Sequence, residues 1–285
     1  IPLRLVGSEM CIRDRLQSII IIDYMPDYFD IACNFTSQEF INKTDIIIEE
    51  SENYGVKKFL AVSSTISDFK TIAELRKSYP SKIFSSAGIH PHNATEVSGL
   101  DPSELEKEIL FYKPNVIGET GLDYFRNLSP RDLQIQSFEF HIQIAIENAL
   151  PLFLHQRDAH EDFVSVLKGF KSKLPKLVVH CFTGNENHLS DYLDLGAYIG
   201  VTGWICDYNR NQELLRSIKK IPLNRLMVET DCPYLLPKNL SDKPKNRINL
   251  PQYLPHIVRE ISKLRNENMI EIANNTYQNS INFFS

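Results

Sequence analysis

Several things are missing from this sequence, and each absence narrows what it can be. The five cysteines, at positions 11, 33, 181, 206 and 232, are odd in number and form no C-x-x-C pair. That argues against a disulfide framework and a cysteine-rich zinc module, and fits a reducing compartment. Glycine and proline are scarce, 11 and 15 of 285 residues, too few for a collagenous or low-complexity chain. No apolar run approaches the roughly 20 residues of a membrane helix, and the longest, Ile19 to Ile22, is far shorter. The first two dozen residues lack the long apolar stretch and small-residue cleavage site of a signal peptide. Positive charge is not in excess: 31 Lys and Arg against 36 Asp and Glu leave a net charge of −5. Such a chain is not expected to coat long duplex nucleic acid, whose nonspecific binding is driven by phosphate neutralisation. A local basic pocket for a few phosphates is compatible with that charge. No membrane partner is expected, and a cytoplasmic monomer is the simplest expectation.

What is present is a strand–helix alternation. It begins only after residue 24. Residues 1–24 show no clean period, and Val6-Gly-Ser-Glu-Met-Cys-Ile-Arg-Asp is similar to a translated sequencing adapter. They are expected to lie outside the fold, with 25–285 forming one domain. Within it, short apolar runs of the kind buried parallel strands show fall at Tyr28–Cys33, Lys58–Val62, Ile83–Ala87, Val116–Ile117, Leu152–Leu154, Leu177–Val179, Ala197–Val201 and Leu226–Val228. Helical stretches between them are predicted over Thr44–Tyr54, Ser67–Ser78, Pro102–Phe111, Pro130–Glu147, Ala159–Lys171, Glu186–Asp194 and Asn211–Lys219, with two more near 251–264 and 268–283. Ser129-Pro130 reads as an N-cap followed by a first-turn proline. Eight strands with intervening helices predict an α/β fold, a (β/α)8 TIM barrel, typically about 250 residues. The competing open, doubly wound sheet commonly carries a Gly-rich phosphate loop after its first strand. Here Cys33-Asn-Phe-Thr follows, and no GxGxxG is present.

Barrels collect their reactive residues at the C-terminal ends of strands. Read in order, those ends carry Asp30 and Asn34, Ser63, His90 with His92, Glu119 with Asp123, His155, His180 and Asp231. One polar end is unremarkable, and a lone histidine after a strand is more often a hydrogen-bonded structural residue. Two histidines and two acids at four of the later ends, in one fold-consistent set, are another matter. Neutral imidazole with carboxylate suits zinc, manganese or a related divalent ion.

These residues sit in recognisable segments. Ala87-Gly-Ile-His-Pro-His, Ile117-Gly-Glu-Thr-Gly-Leu-Asp, Phe153-Leu-His-Gln-Arg-Asp-Ala-His, Val179-His-Cys-Phe-Thr-Gly and Val228-Glu-Thr-Asp-Cys-Pro-Tyr-Leu occur in that order. They resemble the signatures of the TatD family of metal-dependent deoxyribonucleases, and Gly200-Val-Thr-Gly-Trp and Asn249-Leu-Pro-Gln-Tyr-Leu-Pro-His match as well. The resemblance runs from about Phe29 to the C-terminus. It implies a barrel of the metal-dependent hydrolase type that cleaves DNA phosphodiesters, acting as a 3′–5′ exonuclease on single strands, with roles in DNA repair or degradation. It implies Glu119, His155 and His180 as metal ligands, and Asp231 as a further ligand or the group that activates water. Many relatives carry His-x-His on the first strand for a second metal. This chain has Asp30-Ile-Ala-Cys-Asn34 there, as the TatD-proper branch does. Asp30 and Asn34 are therefore expected, at most, to hold a weaker second ion through oxygen.

A bound divalent ion lowers the pKa of its water and stabilises phosphoryl charge. Magnesium is the ion expected in use, with manganese or zinc as substitutes. His90 and His92 are candidates to donate to the scissile phosphate or protonate the leaving group, and Arg157 to grip a phosphate. Arg157 has an equal claim to a salt bridge with Asp158 or Glu161. The segment 237–251 carries Lys238, Lys243, Lys245 and Arg247 against Asp242, and Lys243 and Arg247 are expected to contact DNA strand ends or RNA. Trp204 and Tyr124 are candidate base-stacking residues. Two other readings stay open. One is a metal-dependent hydrolase of another ester or amide, such as an aminoacyl ester on tRNA, since fold and ligands do not fix the substrate. The other is a catalytically silent binding protein.

Overall fold

The computed structural model describes residues 25–285, so the expectation for residues 1–24 lies outside the described residues. Eight parallel strands follow one another around a barrel in chain order. They are β1 (Tyr28–Cys33), β2 (Val56–Ala61), β3 (Ile83–Ala87), β4 (Val116–Asp123), β5 (Leu152–Arg157), β6 (Leu177–Val179), β7 (Tyr198–Val201) and β8 (Leu226–Val228). Around them lie α1 (Thr44–Glu52), α2 (Asp68–Ser78), α3 (Pro102–Phe111), α4 (Arg131–Glu147), α5 (His160–Gly169), α6 (Glu186–Asp194), α7 (Gln212–Ser217), α8 (Leu254–Arg265) and α9 (Met269–Phe284). The fold is the expected TIM barrel.

The strands are apolar on both faces because each face is covered. Phe29, Leu60, Val116, Phe153, Val178 and Met227 pack inside the barrel. Phe284 of α9 joins them, its ring 5.5 Å from that of Phe29. Phe29 and Phe84 stand near the starts of their strands, so this aromatic group floors the barrel at the end away from the strand C-termini. Outside, each helix lays an apolar stripe on the strands. Phe138 of α4 stacks on Phe163 of α5 at 5.1 Å, and Ile142 and Ala145 continue the stripe inward.

The seam between β8 and β1 is made differently from the others. Cys33 pairs with Cys232 in a parallel bridge, and the Asn34 N–H donates to the Cys232 carbonyl at 2.9 Å. Below it, Asp30 accepts from the Thr230 N–H at 2.9 Å and from the Thr230 hydroxyl.

Three local expectations change. β4 reaches Asp123 where the apolar run ends at Ile117, and β5 reaches Arg157. Hydrophobicity stops early because Gly118 and Gly121, at φ +134° and +140°, let β4 lie directly against β5. A Cβ at these positions would stand 2.2 Å from the Phe153 carbonyl oxygen and 2.0 Å from that of His155. Glu119 and His155 are thus held within strands, not on loops. Ser129 does not cap α4. Pro130 does, and the Ser129 hydroxyl donates to the His92 carbonyl at 2.8 Å, tying down the β3 loop. The helix expected to run to Lys219 ends at Ser217, followed by a 3-10 turn over 218–220.

Candidate active site

The strand C-termini open into a cavity of about 660 Å³. Glu119 lies at its floor, and three imidazoles converge on one of its oxygens. His180 Nε2 is 2.7 Å from Glu119 Oε1, His155 Nδ1 is 2.9 Å away, and His90 Nε2 is 3.4 Å away. The two nearer nitrogens are 3.2 Å from each other. Each donor comes from a different strand end: β3, β4, β5 and β6.

Behind this cluster stand two carboxylates. Asp123 Oδ2 is 2.7 Å from His92 Nε2 and 3.5 Å from the outer nitrogen of His155. Glu229, fully buried, has Oε2 3.6 Å from the outer nitrogen of His180. The outer nitrogen of each ring thus faces a carboxylate, an arrangement that orients the imidazole toward the cavity. Asp231 stands beside the cluster on the β8–β1 seam, where Asn34 Nδ2 donates to its Oδ1 at 3.1 Å.

The electrostatics follow from this packing. Burial opposes ionisation of Glu119, but His180, His90 and His155 outweigh it and hold the carboxyl well below the usual range. Burial works against a charged His180 too, yet Glu119 and Glu229 carry it well above the ordinary imidazole value. Burial pushes His90 down to about 4 against the pull of Glu119. Its Nδ1 accepts from the His92 N–H at 3.1 Å, so the neutral ring carries its proton on Nε2, toward the cavity. Burial pushes Asp231 up to about 7, with His180 pulling the other way.

The donor set fits a divalent ion. Neighbouring donors bonded to one ion at roughly 2.1 Å lie about 3–3.4 Å apart; the Glu119 oxygen and the His155 and His180 nitrogens are 2.7–3.2 Å apart, so shifts of a few tenths of an ångström would seat an ion between them. Two imidazoles and carboxylates are ligands that zinc, manganese and magnesium accept to differing degrees.

Other sequence candidates fall in several places. Asn34, Arg157, Trp204 and Asp231 line the cavity, as do His90 and His92. Tyr124 lines an adjoining groove instead. Lys243 and Arg247 are exposed and line neither. Asp30 does not partner Asn34. Fully buried and claimed by Thr230, its carboxylate lies with the thiols of Cys33 and Cys232, away from the cavity lining. Arg157 makes no ion pair with Asp158 or Glu161; its guanidinium stacks on Phe125 at 3.8 Å. Sequence reasoning passed over Glu229, Arg126 and Tyr234, the last two of which line the cavity. Glu229 had a signal: it is an acid directly after the apolar run of β8, two positions before Asp231. Arg126 and Tyr234 had none, because only loop geometry brings them to the rim.

An eight-stranded parallel barrel with imidazoles and carboxylates gathered at its strand C-termini defines the class of TIM-barrel hydrolases. Within that class, residues 29–285 match the profile of the TatD-related DNases, and the chain belongs to this family. It is 39% identical to the 3′-5′ ssDNA/RNA exonuclease TatD of Erwinia tasmaniensis, across 90% of this chain and 99% of the relative. Identity to the protein of the same description from Salmonella typhimurium is 40%, across 90% and 98%. Among solved structures, a TatD-family hydrolase from Entamoeba histolytica superposes with a TM-score of 0.80 at 28% identity, covering 90% of this chain and 98% of that one. A TatD homologue from Escherichia coli gives 0.79 at 26% identity, covering 90% and 97%.

Proposed function

We propose that this chain is a metal-dependent 3′–5′ exonuclease that removes nucleotides from single-stranded DNA or RNA. The observation that carries the reading is the convergence of His155 Nδ1 and His180 Nε2 on Glu119 Oε1 at the cavity floor, with Asp231 beside them. Glu119, His155 and His180 hold the divalent ion, magnesium in use with manganese or zinc able to replace it. Asp123 and Glu229 orient the two rings from behind. When bound, the ion supplies an acidified water and a counter-charge for the phosphoryl oxygens.

The remaining steps belong to the chain. Asn34 occupies Oδ1 of Asp231 and leaves Oδ2 to take the proton of the attacking water; as the water oxygen bonds to phosphorus, the bond from phosphorus to the leaving 3′ oxygen breaks and that oxygen takes a proton from solvent. His90 donates its Nε2–H to a phosphate oxygen, and His92, held by Asp123, stands next to it, ring to ring at 4.2 Å. Arg126 and Arg157 at the rim neutralise the strand's phosphates. The relatives named as exonucleases favour phosphodiesters over other esters. No helix among the described residues is long and apolar enough to cross a membrane, and a cytoplasmic monomer is the state we propose.

The test is nucleotide release from a labelled single-stranded oligonucleotide with Mg, Mn or Zn. Glu119→Ala and His155→Ala are each expected to lower kcat/KM by roughly 10³-fold or more, the loss of several kcal/mol of charge stabilisation. Chelation should abolish wild-type activity, and readdition of metal should restore it. Full activity in either variant would overturn the assignment.

A further inference from the structure

The cavity over Glu119 does not end at the barrel mouth. It shares Gln156, Arg157, Thr183 and Trp204 with a second groove of about 710 Å³ that runs outward over the ends of β4, β5 and β6. Three arginines line this groove, and each stands over an aromatic ring. Arg131 stands 4.0 Å from the Tyr124 ring, Arg157 3.8 Å from Phe125, and Arg210 4.7 Å from Trp204. All three are exposed. Neither Arg131 nor Arg157 has an ion-pair partner among the described residues. Arg210 spends Nε and Nη2 on Asp207, at 2.8 and 2.6 Å, and keeps Nη1 free. Four acids share this wall: Asp162 accepts from the Tyr124 hydroxyl at 2.8 Å, Glu213 pairs with Arg216 at 3.3 Å, and Asp158 and Glu161 have no ion-pair partner among the described residues, so the arginines act as local charges within a mixed lining.

A guanidinium stacked on a ring is fixed in its plane with its N–H edge pointing outward. That edge matches phosphate oxygens in a fork geometry a lysine cannot offer. Phe125 is 56% exposed, a large apolar ring left in solvent at the lip of a polar groove. Exposed rings interleaved with cations are how a single strand is held without regard to sequence: phosphates on the charges, bases on the rings. A groove continuous with the catalytic cavity and built this way needs a polyanion longer than one nucleotide.

We propose that this groove is a second subsite, the path of the strand behind the nucleotide being released, with Arg131, Arg157 and Arg210 as its phosphate contacts and Phe125 as a stacking surface. The proposal rests on the nuclease reading for the identity of the strand. It sets a direction: the retained strand leaves across β4–β6 and not across the basic 237–251 segment beyond β8. It also sets a minimum length, since a dinucleotide reaches little of the groove.

The experiment is binding of a fluorescein-labelled twelve-residue oligothymidylate and of a labelled thymidylate dinucleotide, by anisotropy across a KCl series in EDTA, where no turnover occurs. Arg131→Gln combined with Arg210→Gln is expected to weaken binding of the long strand about tenfold or more and to lower the slope of log K against log salt by about 1.4. Arg131→Gln alone, which removes an exposed side chain with no ion pair, should lower the slope by about 0.7. Dinucleotide affinity should stay within about twofold. Unchanged long-strand binding in both variants overturns the subsite, as does equal weakening of both ligands. Loss of long-strand binding in Lys243→Gln/Arg247→Gln instead, with Arg131→Gln silent, moves the path to the other rim and equally overturns it. If the wild type binds the long strand with this salt dependence but releases no nucleotide when metal is added, the nuclease reading fails while the subsite stands.

Discussion

Asp123 serves two imidazoles with one oxygen, 2.7 Å from His92 and 3.5 Å from His155. It touches the reaction only through them, so Asp123→Asn should leave the fold intact by circular dichroism. Losing the charge that faces the outer nitrogen of His155 is expected to cost about 10–100-fold in metal affinity and activity. Glu229→Gln, behind His180, should behave alike, and a metal titration followed by the activity assay separates both from general misfolding. Asp30 tests a different matter. Burial pushes its carboxyl up to about 7, only partly offset by its hydrogen bonds to Thr230. An acid whose folded pKa exceeds its unfolded value stabilises most below the unfolded value, and that contribution is lost as pH rises through the folded one. The wild type should therefore lose stability between pH 5 and about 8 in excess of Asp30→Asn, as read by urea denaturation at each pH. A slope as steep in the variant would mean that another group dominates. The proposed ligands Glu119, His155 and His180 were legible in the sequence because each follows closely on an apolar strand run. The positioning acid Glu229 went unnoticed because a carboxylate that only steers a ring looks like any other buried polar residue.

At the scale of elements, β4 is the most constrained strand. Gly121→Ala would put a Cβ 2.0 Å from the His155 carbonyl oxygen, against backbone that cannot yield. The expected outcome is little or no soluble protein. Gly99→Ala is the control, also at positive φ (+80°) but with nothing within 4 Å, and it should cost only about 1–2 kcal/mol. These glycines explain why β4 was read two residues long when it has eight. Beyond Ile117 it is a run of glycine and polar residues broken only by Leu122, which no periodicity marks as strand. Helices were more legible, since an amphipathic stripe repeats over several turns, and their ends shifted by at most three residues. α9 makes a claim that periodicity could not suggest, because Phe284 floors the barrel. Phe284→Ala should lower unfolding free energy by about 3–5 kcal/mol, seen as a lower urea midpoint with unchanged slope.

Across the whole molecule, the chemistry and the grip on the strand are carried by different parts. Glu119, His155, His180 and Asp231 lie in or just after strands, while loops and a helix start supply Arg126, Arg131 and Trp204, with Arg157 at the last position of β5. The barrel was readable from eight apolar runs. The groove was not, because Arg131, Arg157 and Arg210 are far apart in sequence and only the packing of α4, β5 and the segment before α7 brings them to one wall. The net charge of −5 is consistent with a strand held by a local cluster of arginines. The β8–β1 seam has a further effect. Asp231 takes its place from a junction held by the Cys33–Cys232 bridge, the Asn34 contacts and the Asp30–Thr230 pair, where other strand pairs share fuller ladders. Junctions with few contacts open at lower free energy than the body of a domain. Heating should therefore silence the enzyme before it melts, with activity falling off several degrees below the far-ultraviolet transition and returning on cooling. Its upper working temperature is then a property of one stave joint, not of the whole cask.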